Sequence, residues 1–332
     1  MADGPRVLLV LGTSTGGVGQ HVRSLATGLP GRVTVAGPAL TQQVFGFPDW
    51  VALEVGASPH PVRDARAIRR LRGLARQVDI VHAHGLRAGA LAALAGVHPL
   101  VVTWHNAVSG RVGGALQRLV ARRADVTLAA SADLLATALG LGGRDVRPGP
   151  VAAPVLTPTG GDPGLGHPLV LAVGRLHPQK GYDVLLAAQP LMGEVVVAVA
   201  GDGPLRAALQ TAGPAVRWLG HRDDVADLLA AADVVVLPSI WEARSLTAQQ
   251  VLLAGRPLIA SSVGGLPALL GDGAVLVPPG DPAALARAVR RLLDDPVEAA
   301  ALVARGRLVA ARWPDEAATV RQVAAVYAEL LG

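Results

Sequence analysis

Cysteine is absent from this sequence of 332 residues, and aromatic residues make up only 3% of it. Without cysteine the chain has no disulfide bonds, thiolate metal sites or cysteine nucleophiles, which suits a reducing compartment such as the cytoplasm. None of the few aromatic residues stands among the arginines of the most basic segment. Because single-stranded nucleic acids bind to aromatic side chains interleaved with basic ones, we expect no nucleic-acid partner.

Long hydrophobic runs are also absent. The longest mildly apolar run, Ala88–Val97, ends at His98-Pro99 and is shorter than the roughly 20 residues that a spanning helix needs. Val7–Leu11 is apolar, but Gly12 follows at once, so we interpret this segment as a first strand and not as a signal peptide. We expect a cytoplasmic protein that is soluble or peripheral at the inner face of the membrane.

Lysine is nearly absent as well. Of the 30 basic residues, Lys180 alone is not arginine. Whatever bias favoured arginine elsewhere left this position unchanged, which indicates that a compact ammonium is needed there. The charge is unevenly spread, since residues 1–150 carry a net charge of +8 and residues 151–332 a net charge of −3.

What is abundant favours an α/β fold. The chain is 51% hydrophobic, contains 40 Gly and 25 Pro, and alternates apolar strand-like runs with helical segments, as Rossmann-like layers do. Residues 147–168 hold six Pro and five Gly and are interpreted as a linker. We expect domains at 1–150 and 151–313 whose strand ends face each other across a cleft, with a C-terminal helix, 314–332, packing back on the first domain.

The segment Asp233–Pro267 organises the second half. The buried-strand run Val234–Leu237 is followed by an irregular loop that contains Glu242, and Ser245 can cap the next helix. In open parallel sheets ligands bind at the carboxyl ends of strands, and a helix N-terminus there favours an anion such as phosphate.

The helix after Ser245 places Leu246, Gln250 and Leu253 on one face, so Gln250 is a polar residue in an apolar line. The alternative interpretation is that Glu242 only caps a loop and that Gln250 is a tolerated interior amide. An earlier loop of this half carries Arg175 and Lys180, a planar fork and a point charge that suit two adjoining phosphates.

The first half has a glycine-rich turn, Gly12–Gly19, between a strand and a helix headed by His21. Such a turn lets backbone N–H groups approach a phosphate, although a tight turn without a ligand explains it equally well. His84 and His105 stand at the ends of later strands, on the same rim. His82 and His84 form a His-x-His pair that could bind a metal, but no Asp or Glu lies nearby, so we expect no metal and regard His82 as structural.

The helix predicted at Val62–Gln77 carries six arginines opposite an apolar stripe of Ile68, Leu71, Leu74 and Ala75. A solvated helix face explains this pattern. The sharper hypothesis is a patch that rests on anionic lipid.

The motifs taken together resemble glycosyltransferase family 4, a group of retaining enzymes with the GT-B fold. The likeness covers nearly the whole chain in the right order and is carried by Gly16-Gly17-Val18 with His21, Asp79–Gly85, Thr103–Asn106, Gly174-Arg175 with Gln179–Gly181, Gly201–Pro204, and Ala232–Gly255.

The resemblance implies a nucleotide-sugar donor held by the second domain and an acceptor held by the first. Arg175 and Lys180 match the pair that neutralises the diphosphate leaving group. Glu242 matches the first acid of the family's Glu-x7-Glu motif, which contacts hydroxyls of the transferred sugar, and His105 matches the histidine beside that sugar. Gln250 departs from the family because it replaces the second acid, which binds the ribose; this puts the identity of the donor in question.

Further positions follow from the same likeness. The backbone at Ser245-Leu246 and the Gly16-Gly17 turn match phosphate contacts. Arg222 is a further donor-binding candidate, and His21 and His84 are candidates on the acceptor side.

We therefore expect a retaining, metal-independent hexosyltransferase without a cofactor, which acts on a membrane-associated or cell-envelope glycan or lipid. Two alternatives stay open: a GT-B epimerase or hydrolase, and a non-catalytic nucleotide-sugar-binding relative. A dehydrogenase is disfavoured because the Gly-x-Gly-x-x-Gly fingerprint is missing.

Overall fold

The computed structural model describes residues 4–56, 58–108 and 110–332. The chain divides into two compact units. The first ends at Ala152 and also includes Pro314–Gly332, and the second is Ala153–Trp313. Each unit is built on a parallel sheet with helices between its strands, so the expected α/β class with two Rossmann-like sheets is confirmed.

The sheet of the first unit contains, among the described residues, seven parallel strands. They are β1 (Arg6–Leu11), β2 (Arg32–Gly37), β3 (Trp50–Ala52), β4 (Ile80–His84), β5 (Leu100–Trp104), β6 (Val126–Ala129) and β7 (Val146–Pro148). The helices are α1 (Gly17–Gly28), α2 (Ala39–Phe45), α3 (Pro61–Ala75), α4 (Leu86–Ala95), α5 (Gly110–Arg123) and α6 (Ala132–Gly140). The spatial order is β3-β2-β1-β4-β5-β6-β7, so the order reverses between β1 and β4.

A charged clamp joins the two strands at this reversal. The Arg6 guanidinium donates to both carboxylate oxygens of Asp79, at 2.6 and 3.2 Å, and the Arg6 backbone N–H donates to the same carboxylate at 2.8 Å. These hydrogen bonds from Arg6 lower the pKa of Asp79 to about 2. The clamp fixes the starts of β1 and β4, and thereby the position of their carboxyl ends.

The sheet of the second unit has six described parallel strands: β8 (Leu169–Val173), β9 (Val196–Ala200), β10 (Arg217–Gly220), β11 (Val234–Leu237), β12 (Leu258–Ser261) and β13 (Val275–Val277). The helices are α7 (Tyr182–Ala188), α8 (Arg206–Ala212), α9 (Val225–Ala231), α10 (Leu246–Leu253), α11 (Leu266–Leu270), α12 (Pro282–Asp294) and α13 (Pro296–Ala310). The spatial order is β10-β9-β8-β11-β12-β13, and its reversal lies between β8 and β11.

The last helix, α14 (Glu316–Leu331), belongs to the first unit. Asp315 caps it by accepting a hydrogen bond from the Ala318 N–H at 2.6 Å, as expected of a carboxylate at a helix start. Its buried face, which includes Val323 and Tyr327, packs into the core beneath β1 and α1. No helix in the described part of the chain combines the length and the apolar character needed to cross a membrane.

Helix bounds differ from the sequence-based expectation by a few residues. The basic helix expected at Val62–Gln77 is α3, which begins one residue earlier because Pro61 occupies its first turn and the His60 side chain accepts from the Arg63 N–H at 3.4 Å. The sequence between Val35 and Pro61 predicts no clear helix or strand, yet α2 and β3 form within it. Both elements are too short to show a periodic pattern.

A glycine allows close contact between the loops that follow β8 and β11, the two strands at the reversal of the second sheet. Gly181 has a φ of +63°, and a Cβ at this position would lie 2.0 Å from the Pro238 carbonyl oxygen. The backbone of the loop after β8 therefore approaches the end of β11 more closely than any side chain would permit.

We predict that Gly181→Ala destabilises the second unit more than Gly193→Ala does. Gly193 has a φ of +85° but open space around it, so its substitution carries only the cost of a left-handed backbone, about 1 kcal/mol. Gly181→Ala must also displace Pro238, which adds roughly 1–3 kcal/mol. Urea denaturation of the two variants measures the difference, and equal losses of unfolding free energy would contradict the close approach.

Candidate functional site

Several polar residues singled out from the sequence follow strands at or next to the two reversals, whereas Arg222 follows the edge strand β10 and Gln250 lies within α10. In the second unit Arg175 and Lys180 follow β8, and Glu242 and Ser245 follow β11. Strands β8 and β11 are hydrogen-bonded neighbours, so the two loops leave the sheet side by side. This is the place where open parallel sheets bind ligands.

The central contact is an ion pair between these loops. The Lys180 ammonium lies 2.5 Å from Oε1 of Glu242, and the two side chains are 20% and 8% exposed. The Ser239 hydroxyl donates to the same carboxylate oxygen at 2.9 Å. A carboxylate this deeply buried needs such partners, because an unpaired buried charge is strongly destabilising. Lys180 therefore holds Glu242 while one-fifth of its own side chain still faces solvent.

Backbone contacts fasten the same two loops. The Gln179 side chain donates to the Trp241 carbonyl at 2.9 Å, and the Gln179 carbonyl accepts from the Ile240 N–H at 2.9 Å. The Glu242 carbonyl accepts from the Gly265 N–H at 2.8 Å, which adds the loop after β12. The loops that follow the neighbouring strands β8, β11 and β12 are thus hydrogen-bonded to one another next to Glu242.

Tyr182 holds the start of the loop that follows β8. Its hydroxyl donates to the Gly174 carbonyl at 2.9 Å, and the residue is 3% exposed. Burial, and then the charge of Glu242, raises the pKa of Tyr182, so the phenol stays protonated and remains a hydrogen-bond donor.

Helix α10 begins beside Glu242. Ser245 caps it by accepting from the Ala248 N–H at 3.3 Å, as expected from the sequence, and Leu246 is the first helical residue. The start of this helix presents backbone N–H groups and the positive end of its dipole at the carboxyl edge of the sheet.

The face of α10 differs from the expectation. The buried residues are Ala248, Gln249, Val251 and Leu252, whereas Leu246 and Gln250 are partly exposed and Leu253 is exposed. The interior amide is Gln249: its side chain accepts from the Ala153 N–H at 3.2 Å and donates to the Ser245 carbonyl at 3.3 Å. The expectation failed because an eight-residue helix that is apolar on most sides shows no single stripe.

The two remaining donor-side arginines differ in their surroundings. Arg175 is exposed, and within the described ranges its side chain makes no hydrogen bond or ion pair. Arg222 pairs with Asp224 through Nε at 2.6 Å and through its second nitrogen. This pairing raises the pKa of Arg222 and lowers that of Asp224. Arg175 is therefore available to an anion, while the Arg222 fork already holds a carboxylate.

In the first unit, three histidines converge at the carboxyl edge of the sheet. His21 comes from α1, His84 ends β4 and His105 follows β5. Their ring centroids are 5.4 to 5.5 Å apart, and Nδ1 of His84 lies 3.2 Å from Nε2 of His105. His21 and His84 are buried and His105 is partly exposed.

Burial makes these rings poor bases. It lowers the pKa of His21 to about 4 and holds the pKa of His84 and of His105 well below the usual value, with a smaller effect from neighbouring histidines. All three rings are therefore neutral at pH 7, when each offers one donor and one acceptor nitrogen.

His82 has the structural role expected of it. Its Nδ1 lies 2.7 Å from the Tyr327 hydroxyl and its Nε2 lies 2.6 Å from Oγ1 of Thr103. Both contacts are buried, and burial lowers the pKa of His82 to about 3. His82 thus links β4 to β5 and to α14.

The glycine turn is held by residues that sequence reasoning missed. Gly16 caps α1 and Gly17 begins it, and both are exposed. The Ser14 hydroxyl accepts from the Gly19 N–H at 3.0 Å, and the Ser14 N–H donates to the Thr41 hydroxyl at 3.0 Å. A serine just before a helix is a capping signal that could have been noticed, whereas Thr41 is too far along the chain. The contact of Gln179 with Trp241 was not predicted for the same reason, since the two residues are 62 positions apart, whereas Ser239 contacts Glu242 within one irregular loop.

Comparisons with known proteins identify the family of the chain. Residues 16–153 match a family model described as a glycosyl transferase 4-like domain, and residues 167–295 match one described as glycosyl transferases group 1. Together the two models cover most of the chain and include every candidate residue named above.

Individual relatives extend this finding. A glycogen synthase of Mycobacterium tuberculosis is 34% identical over 288 residues, which cover 74% of this chain and 68% of the relative. A D-inositol 3-phosphate glycosyltransferase of Streptomyces avermitilis is 39% identical over 167 residues, covering 43% of this chain and 35% of the relative.

A solved structure supports the fold. The crystal structure of HepE from Anabaena in complex with UDP-glucose is 19% identical, covers 98% of this chain and 100% of its own, and superposes with a TM-score of 0.85. At this identity the likeness concerns the fold alone. With both family models matched and two thirds of a related enzyme aligned, the chain belongs to glycosyltransferase family 4 and has the GT-B fold.

Proposed function

We propose that the chain is a retaining hexosyltransferase that moves a sugar from a nucleoside-diphosphate sugar to an acceptor without a divalent metal at the leaving diphosphate. The observation that supports this most is the reversal of the second sheet. There an exposed Arg175, the ammonium of Lys180 with its side chain 20% exposed, and the start of α10 occupy adjacent loops. Two cations and a helix N-terminus are a receptor for a diphosphate.

The chemistry follows from the charge that develops during transfer. As the bond between the sugar's anomeric carbon and the diphosphate oxygen breaks, negative charge builds on that oxygen. Arg175 stabilises it with a planar fork, Lys180 with a point charge and α10 with backbone N–H groups. The acceptor oxygen then bonds to the anomeric carbon on the same face, and a phosphate oxygen takes the acceptor's proton. No protein nucleophile is assigned.

In this proposal Glu242 binds the transferred sugar. Its Oε1 is held by Lys180 and Ser239, which orients the carboxylate for hydrogen bonds from hydroxyls of the transferred sugar. Since charge-assisted hydrogen bonds are roughly twice as strong as neutral ones, a fixed carboxylate can orient the sugar as well as bind it.

Gln250 and the first unit complete the assignment. Gln250, partly exposed on α10, binds the ribose with an amide where family members use an acid. From the family resemblance we assign His105 to a contact with the transferred sugar, and His21 and His84 to the acceptor. UDP-glucose is the donor to test first, because HepE of the same fold binds it.

Gln250 also motivates a second candidate, a non-catalytic protein that binds nucleotide sugars. Losing one carboxylate weakens the ribose contact but leaves the diphosphate site of Arg175 and Lys180 intact. An epimerase or hydrolase is a third candidate, but it would not need the basic helix α3 described below.

We predict that Arg175→Ala lowers the rate of nucleotide release by about 100-fold or more, as the loss of one charge-stabilising group does in other enzymes. The measurement is release of nucleoside diphosphate from a panel of donors with an acceptor extract. Because the Arg175 side chain is exposed, the variant should fold normally. Arg290→Ala, at an exposed arginine of α12, is the matched control and should keep wild-type turnover.

Lys180 requires a different substitution. Lys180→Ala would leave Glu242 buried without its counter-charge and could unfold the unit, so Lys180→Arg is preferred. It keeps the charge, cannot reproduce the compact ammonium and should lower turnover while the melting temperature changes little. Full activity in both Arg175→Ala and Lys180→Arg would refute the assignment. A wild-type protein that binds nucleotide sugars and never releases a nucleotide would favour the binding protein.

We further propose that α3 rests on an anionic membrane surface, which brings the enzyme to a lipid or envelope acceptor. Its exposed arginines include Arg63, Arg66, Arg69 and Arg70, and they line a groove of about 710 Å³ together with Ala52–Glu54. Ala67 and Leu71 form the buried side, so the charged side faces outward. Such a surface attracts anionic headgroups.

Arg72 is unlike the other arginines of α3. Its guanidinium donates to the carbonyls of Ala95 and Leu94 at 3.1 and 3.2 Å. It therefore fastens α3 to the end of α4, and replacing it would disturb packing as well as charge.

We predict that Arg69→Gln with Arg70→Gln weakens co-sedimentation with phosphatidylglycerol-containing vesicles by about 30-fold, because each arginine near an anionic surface contributes roughly 1 kcal/mol. Arg287→Gln with Arg290→Gln removes the same charge from the exposed side of α12 and should leave co-sedimentation unchanged. Binding that is indifferent both to lipid charge and to the α3 substitutions would reject the membrane contact.

A further inference from the structure

The three converging histidines of the first unit also satisfy the geometry of a metal site. One ring nitrogen from each of His21, His84 and His105 lies within 4.8 Å of the other two. The nearest pair, Nδ1 of His84 and Nε2 of His105, is 3.2 Å apart. These side chains come from α1, β4 and the loop after β5, so three separate elements contribute them.

The distances are close to those of a metal-bound set. Zinc binds imidazole nitrogen at about 2.0–2.1 Å, so two ligands of a tetrahedral ion lie roughly 3.3–3.4 Å apart. The His84–His105 pair already has this separation. Since all three nitrogens lie within 4.8 Å of one another, no pair needs to close by more than about 1.5 Å to reach this separation.

The second nitrogen of His84 lies outside this set of ligand atoms. Nε2 of His84 is buried and has no hydrogen-bond partner within the residues that the structure describes. An unsatisfied polar atom of this kind is uncommon, because it carries the cost of desolvation without compensation. Nδ1, the nitrogen that faces His105, is the ligand atom of this ring, so Nε2 points away from the ion and would carry the ring proton toward an outer partner.

The chemical type of the three ligands limits the choice of ion. Neutral imidazole suits Zn²⁺, Co²⁺, Ni²⁺ and Cu²⁺, whereas Mg²⁺ and Ca²⁺ prefer oxygen ligands. Three protein ligands leave the fourth position of a tetrahedral ion to water or a ligand oxygen.

We infer that His21, His84 and His105 form a three-histidine site for a borderline divalent cation of the Zn²⁺ class, with the fourth position open. The site belongs to the first unit and takes no part in neutralising the diphosphate, which is assigned to Arg175 and Lys180 of the second. Its occupation can therefore be tested without any nucleotide or sugar.

The experiment uses the full chain without an affinity tag, in a buffer that does not chelate metals. Co²⁺ is titrated while its visible absorption is followed, since four-coordinate Co²⁺ absorbs far more strongly than the hydrated ion. Zn²⁺ is then added as a competitor, and bound zinc is counted by elemental analysis after dialysis. The expected result is one ion per chain, with the intense absorption of a four-coordinate site.

Three variants test the assignment of the ligands. His105→Ala and His21→Gln should each weaken binding by about 100-fold or more, at least as much as the loss of a supporting group around a metal site. His60→Ser, which retains a helix-capping side chain at the start of α3, is the control within the same unit and should bind like the wild type. Near-UV circular dichroism checks that each variant is folded.

Wild-type protein that shows no saturable binding of Co²⁺ or Zn²⁺ would overturn the inference, as would equal affinity in His105→Ala and wild type. Arg175→Ala separates this inference from the proposed transfer. It should lose turnover and bind the cation normally, so either conclusion can fail while the other stands.

Discussion

The ion pair of Lys180 and Glu242 is the contact on which the donor side depends. Each charge is costly to bury alone, and each makes the other tolerable. Because the two residues follow neighbouring strands, β8 and β11, their pairing fixes one loop against the other. Gln179 adds backbone contacts, and Gly181 permits the close approach. The resulting rigidity places a cation, a carboxylate and the start of α10 in fixed positions, as a site for a charged leaving group requires.

The reversal of strand order explains why polar residues gather in both units. In each sheet the chain winds outward in one direction and then in the other, so the loops at the reversal diverge and leave room at the carboxyl edge. The second unit fills this position with charge, through Arg175, Lys180 and Glu242. The first unit fills it with neutral imidazoles, His21, His84 and His105. The same topology therefore presents charged groups in one unit and neutral imidazoles in the other.

Much of this could be predicted from the sequence, because the informative signals were local. Lys180 stood out as the single lysine, and Ser245 as a cap before a helix. What could not be predicted depended on contacts between distant segments. Gln249, and not Gln250, proved to be the buried amide of α10, and Arg72 proved to hold a neighbouring helix. The sequence placed His21, His84 and His105 on one rim, but their approach to within 4.8 Å of one another, like the contact of Tyr327 with His82, is visible only once the sheet has formed.

The central claim is that the second unit grips a diphosphate through its two cations. Thermal denaturation with nucleoside diphosphates and matched monophosphates at the same concentration tests it most directly, because a ligand that binds only the folded state stabilises it by about 2.7 kcal/mol at 100 times its Kd. The account predicts that at least one diphosphate raises the melting temperature well above its monophosphate, and that added salt reduces the difference. Equal stabilisation by monophosphate and diphosphate, or none by any diphosphate, would contradict it.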